Sequence, residues 1–256
     1  MTREERNVSP RLLAVVNTAG RGLGRFEPWL AASGITMHIV DGVSGLPNTL
    51  DGYHGLILLG GGFMPTDDEI AGWLPDERRL AEEAIAKGIP TLGICLGAQI
   101  IAHVAGGTVE ADSGTPERGS TQLTQTDAGA RDALIADVPA SFTAIENHRD
   151  AITALPPGAV LLASSADCVN QAFRLGDHIW GVQFHPEVGA DVTARWSVED
   201  AAADGFDHAA LVRTADINED DSARVCRLLA DGFAASIHHT HQQTNVESPR
   251  DDSPTI

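Results

Sequence analysis

Short apolar runs separated by helix-like stretches constrain this chain more than any other feature. Leu12–Val16 (LLAVV) and Gly55–Leu59 (GLILL) are continuous apolar runs, and Ile35–Val40 and Pro90–Ile94 read as two further short strands. A strand without polar alternation has no face to give to water, so both sides of its sheet must be covered. The intervals supply the cover. Phe26–Ala32 looks helical and stops at Gly34. Asp76–Lys87 places Leu80, Ala84 and Ile85 on one stripe with charges opposite and Gly88 behind it, and Gly97–Val104 is a small apolar helix. This alternation predicts parallel βαβ units, and hence an α/β fold with a doubly wound, mostly parallel sheet and helices on both faces.

Beyond Gly107 the rhythm changes. Thr108–Ala111, Gln122–Gln125, Phe142–Ile145 and Ala159–Ser164 are strand-like pieces broken by Gly, Pro and Asp, which predicts antiparallel strands on one edge. Ile179–Phe184 (IWGVQF) returns as a strand and stops at His185-Pro186. After Gly189 the composition turns acidic, with 13 acidic and 5 basic residues over 190–256. One amphipathic helix is readable there, Ser222–Ile237, with Val225, Leu228, Leu229 and Phe233 on one face. The run Glu219-Asp220-Asp221 before it suits a helix amino terminus. These readings give a flexible amino terminus (1–10), one α/β domain (11–189), a C-terminal helical extension of that domain (190–237) and a disordered tail (238–256). His238, His239 and His241 are expected to be solvated in that tail.

The formal net charge of −19 argues against a nucleic-acid or anionic-membrane partner, because phosphates would be repelled. Three well-separated cysteines fit a reducing compartment better than a disulfide framework. No apolar run reaches the roughly 18–20 residues of a membrane span, and no h-region follows the charged amino terminus. A cytoplasmic protein is expected.

The chemistry centres on Gly93-Ile94-Cys95-Leu96-Gly97, which follows a predicted strand and opens a predicted helix. A nucleophile at such an elbow sits on a sharp, strained turn, so its flanking contacts need residues without bulk. Cys95 then stands at a helix amino terminus, where free N–H groups and the helix dipole favour negative charge. The N–H of Leu96 can donate to a developing oxyanion. His185-Pro186-Glu187 supplies a base and its orienter: proline favours extended geometry before it, and residues two apart in an extended segment share a side. The glycines Gly60-Gly61-Gly62 end another strand, either as a tight turn or as a second oxyanion donor close to substrate. Cys168 and Cys226 read as buried small hydrophobes.

Gly93-Ile94-Cys95-Leu96-Gly97-Ala98-Gln99 followed by Phe184-His185-Pro186-Glu187 resembles the class I (triad) glutamine amidotransferases. The resemblance runs from about Arg11 to Val188, and Asn147-His148-Arg149-Asp150 looks most like a segment of the guanylate-synthase type amidotransferase domain. It implies a flavodoxin-like fold in which a Cys–His–Glu triad hydrolyses the side-chain amide of glutamine. Cys95 is then the nucleophile, His185 the base and acid, and Glu187 the orienter. Gly61 and Leu96 line the oxyanion hole, and Gln99, Gly60, Asn147, His148 and Arg149 belong to the substrate site. His148 reads equally as a structural histidine. The family commonly has Gly-Gly-Pro where this chain has Gly60-Gly61-Gly62, and glycine where it has Arg149. Arg149 either points away or recognises something larger than glutamine.

The expected reaction is acyl transfer to water through a γ-glutamyl thioester, which needs no metal and no organic cofactor. The substrate is glutamine or a γ-glutamyl compound. Alternatives are a γ-glutamyl peptidase or γ-glutamyl amine hydrolase, and a non-catalytic regulatory or partner-binding subunit. The residues after Gly189 are too few for a synthetase domain, so any synthetase that receives the ammonia is expected on a separate chain. A face for homo-oligomer formation is expected on the acidic segment or the last helix.

Overall fold

A computed structural model describes residues 9–247. The expected flexible amino terminus lies mostly outside the described residues, as does the end of the expected disordered tail.

Five strands form the parallel part of the sheet: β1 (Arg11–Val16), β2 (Thr36–Asp41), β3 (Gly55–Leu58), β4 (Thr91–Ile94) and β11 (Ile179–Val182), in the order β2-β1-β3-β4-β11. The sheet continues antiparallel through β10 (Ala172–Leu175), β9 (Val160–Ser164), β6 (Glu117–Gln125) and β7 (Ser141–His148). Two short strands, β5 (Thr108–Glu110) and β8 (Ala151–Ala154), pair separately. This is the doubly wound, mostly parallel α/β architecture that the apolar runs predict, flavodoxin-like as the family resemblance implies. β8 and β10 were not expected; four residues each, they are too short to show a period.

The apolar runs split between two cores. Leu12, Ala14 and Val16 of β1 face one side with Ile57, Trp180 and Phe184, while Leu13 and Val15 face the other with Leu56, Leu58 and Ile100. On the first side lie α1 (Phe26–Ala32) and α6 (His208–Glu247), and on the second α2 (Leu74–Lys87) and α3 (Leu96–Val104). Two short helices, α4 (Ala190–Thr193) and α5 (Val198–Ala203), join β11 to α6.

Helix α6 departs from expectation at both ends. It begins at His208 rather than Ser222, so Glu219-Asp220-Asp221 lies inside it and does not precede it. Glu219 instead accepts the Ala190 N–H at 2.9 Å and caps α4. The helix also runs past His238 to Glu247, where disorder was expected. His238 Nε2 hydrogen-bonds the Ser33 carbonyl at 2.8 Å, and the buried His241 meets the His54 ring with centroids 4.1 Å apart. Contacts with the end of α1 and with His54, just before β3, hold this polar stretch where its own sequence pattern does not. No helix among the described residues is long and apolar enough to cross a membrane.

Candidate active site

The carboxyl ends of β1, β3, β4 and β11 lie side by side, and each delivers part of one site. Cys95, between β4 and α3, has φ 51° and ψ −107°, a conformation that costs a non-glycine residue about 1–3 kcal/mol. Its N–H donates to the Val182 carbonyl at 2.8 Å, which holds the turn against β11. The flanking glycines are required by space: a Cβ on Gly93 would lie 2.5 Å from the Gly97 carbonyl carbon, and one on Gly97 would lie 2.0 Å from the Leu58 oxygen. Cys95 is only 6% exposed.

His185 follows β11, and its N–H donates to the Ile145 carbonyl at 2.8 Å, fastening it to β7. Its Nδ1 lies 2.8 Å from Glu187 Oε1, the pairing predicted for an extended His-Pro-Glu segment. Burial by itself would lower the pKa of His185, but the Glu187 carboxylate and the Cys95 sulfur outweigh it and hold the pKa well above its ordinary value. Gly60 sits against both groups, since a Cβ there would lie 2.7 Å from His185 Cε1 and 3.4 Å from Cys95 Cβ.

Two polar networks around this centre were not read from the sequence. Gln183 Nε2 donates to Cys95 Sγ at 3.5 Å, and the buried Gln99 donates to Gln183 Oε1 at 3.3 Å and to the Asp150 carbonyl at 3.1 Å. Gln183 had a signal: it precedes His185 and Glu187 at the same two-residue spacing. The second network has Asn17 at its centre. Asn17 Nδ2 donates to the Leu59 carbonyl and to Glu77 Oε1, both at 3.0 Å, and Asn17 Oδ1 accepts from Trp73 Nε1 at 2.7 Å. A Cβ on Gly61 would lie 2.8 Å from Asn17 Cβ, so this network backs the glycine run. Burial pushes the Glu77 carboxyl up to about 8.

A cavity of about 710 Å³ opens over Cys95, His185 and Glu187, and Gly60, Gly61 and Asn147 line it. Arg21, Arg195, Trp196 and Glu219 carry it out to α4 and α6. Gln99, His148 and Arg149 do not line it. Arg149 pairs with Asp204 at 2.6 Å, and Arg118 grips the same carboxylate while donating to Asn147 Oδ1 at 2.8 Å. His148 is buried, with Nε2 3.1 Å from Glu117 Oε2 and 3.4 Å from Glu146 Oε2, and Nδ1 3.2 Å from the Asp150 carbonyl oxygen. Burial works to lower its pKa, yet the two carboxylates raise it to about 10. Cys168 and Cys226 are buried, as read from the sequence.

The profile of the family described as glutamine amidotransferase class-I matches residues 30–200. The GMP synthase [glutamine-hydrolyzing] of Porphyromonas gingivalis is 38% identical over 144 residues, which are 56% of this chain and 26% of that protein. A GMP synthase [glutamine-hydrolyzing] of Streptococcus pneumoniae is 38% identical over 131 residues, 48% of this chain and 24% of that protein. The chain thus spans about a quarter of the length of these relatives. A glutamine amidotransferase from Thermotoga maritima has a similar structure, with TM-score 0.78 and 28% identity over 88% of this chain and 98% of that one.

Proposed function

Since the chain belongs to the class-I glutamine amidotransferase family, we propose that it hydrolyses the γ-amide of glutamine or of a γ-glutamyl compound through Cys95, His185 and Glu187. The observation that carries this reading is the convergence of the strained Cys95 elbow with a His185–Glu187 pair at 2.8 Å beneath one cavity.

Cys95 sulfur attacks the γ-carbonyl carbon, and the carbonyl π electrons move to oxygen. The N–H groups of Leu96, at the unpaired start of α3, and of Gly61 hold that oxyanion. His185 is the acid: its imidazolium proton passes to the leaving nitrogen, the C–N bond breaks, and a γ-glutamyl thioester remains. Neutral His185 then takes a proton from water as the water attacks the thioester, and glutamate and the thiolate form. Glu187 fixes the ring through Nδ1, so Nε2 is the nitrogen that faces the sulfur and the leaving group. Gln183, donating to Sγ, orients the nucleophile. Gln99 and His148 support the site from behind, through the Asp150 carbonyl, and Asn147 meets substrate directly. Ammonia released here is the product that a synthetase would use.

The size of the cavity favours a second reading within the same chemistry. A volume of about 710 Å³ suits a drug-sized ligand, well beyond a glutamine side chain, and its outer wall comes from α4 and α6. That wall fits the leaving group of a γ-glutamyl peptide or amine. Arg149, engaged by Asp204, has no part in it.

Glutamate release from glutamine and from γ-glutamyl dipeptides tests both readings. Wild type releases glutamate from at least one of them, and Cys95→Ser lowers kcat by about 10³-fold or more. Wild type inert on all of them, with and without added synthetase, and unlabelled at Cys95 by a γ-glutamyl electrophile, would overturn the catalytic reading.

A further inference from the structure

A second cluster of ligand-type side chains lies behind the active site, at the far edge of the sheet. Cross-strand register opposes Glu117 of β6 to His148 of β7, and Glu146 lies two residues before His148 on the same face. Cys168, in the turn between β9 and β10, completes the group. Its thiol, His148 and Glu117 bring their ligand atoms within 4.8 Å of one another, and all three residues are buried. The turn is fixed by the Cys168 N–H donating to Ser165 Oγ at 2.9 Å.

This cluster holds more acceptors than donors. Glu117 Oε1, both Glu146 oxygens and Gln171 Oε1 are buried without a hydrogen-bond partner among the described residues. Glu146 is 0% exposed. A proton on His148 Nε2 serves Glu117 at 3.1 Å and leaves Glu146, at 3.4 Å, without a bond. Buried acceptors without donors take a proton, a water or a cation as their partner. The spacing fits a cation: ligand atoms at about 2.0–2.1 Å from a tetrahedral Zn²⁺ stand about 3.3 Å apart, and the two Nε2–carboxylate separations bracket that edge. The outer contacts fit as well. His148 Nδ1 faces the Asp150 carbonyl at 3.2 Å, which leaves Nε2 for the cluster, and Gln171 Nε2 donates to Glu117 Oε2 at 2.7 Å.

We propose that Glu117, Glu146, His148 and Cys168 form a structural site for a zinc-like divalent cation, tying the β6–β7 edge to the turn that carries Cys168. The donor set of one sulfur, one imidazole nitrogen and two carboxylates selects a borderline-soft ion over calcium or magnesium. Binding exchanges protons for metal: the Cys168 thiol releases one, Nε2 of His148 releases its own, and no oxidation occurs. The site is closed to solvent, so the ion enters as the chain folds. It supplies no step of the amide chemistry, and it stands independently of that proposal.

Metal analysis of full-length protein, folded with zinc and then stripped of loosely held ions, tests the site. Wild type retains about one zinc per chain. Protein refolded with cobalt shows a sulfur-to-cobalt charge-transfer band and strong visible bands. Cys168→Ser loses the charge-transfer band, and zinc retention falls at least about tenfold. Cys95→Ser keeps both signals, which separates this site from the triad. Wild type without zinc and without the cobalt band shows a proton on His148 only and overturns the site. So does a cobalt band that survives Cys168→Ser or vanishes in Cys95→Ser.

Discussion

At the scale of single residues, the site is built by contacts too close for any other side chain. Gly60 leaves its Cα face to His185 and Cys95, and a methyl group there would lie 2.7 Å from the imidazole. Gly60→Ala must therefore turn the ring away from the sulfur, and kcat should fall by about 10²-fold, with the far-ultraviolet circular dichroism unchanged. Glu77 makes a second prediction. In the folded protein its carboxyl keeps a proton up to about pH 8, while an exposed glutamate gives it up near 4.5. Stability from this group is thus fullest below pH 4.5 and is lost as pH rises toward 8, at about 1.4 kcal/mol per pH unit. Glu77→Gln, which preserves the acceptor for Asn17, should flatten that decline in urea unfolding measured from pH 5 to 8 and be more stable than wild type at pH 8.

At the scale of elements, α6 is as much a part of the core as any strand. Val225, Leu229, Phe233 and Ile237 recur every four residues on the face toward the sheet, and Phe233 meets the buried Trp180 edge-on with centroids 6.4 Å apart. Phe233→Ala should cost about 3–5 kcal/mol in denaturant unfolding. That face was legible from Ser222 to Ile237. The rest of α6 was not, because His208–Asp221 is rich in charge and shows its purpose only when Arg25, Glu219 and the amino end of α4 meet. Arg149 teaches the same lesson. Its position in a substrate-site motif left open whether it points away or recognises a ligand; in the fold it holds Asp204 beside Arg118 and so ties the end of α5 to β6 and β7. Arg149→Gly should leave the ratio of activities on glutamine and γ-glutamyl dipeptides unchanged.

At the scale of the whole molecule, the segment after Gly189 covers a sheet face and walls the cavity. A chain ending at Gly189 would expose Leu12, Ile57, Trp180 and Phe184, which α1 and α6 bury together. It should be recovered in aggregates or as a compact state that binds hydrophobic dyes, rather than as an active domain. The sequence by itself determined the alternation of parallel strands with helices, the elbow at Cys95 and the His185–Glu187 pair. Those depend on periods of two and 3.6 residues and on contacts between near neighbours, which local pattern encodes. Only the tertiary structure decided that Gln183 reaches the sulfur, that Asn17 and Glu77 back the glycine run, and that Glu117, His148 and Cys168 meet, with Glu146 beside His148. These groups come from separate elements, and their contacts arise from sheet order and register, quantities fixed by packing across the whole chain and carried by no single stretch of it.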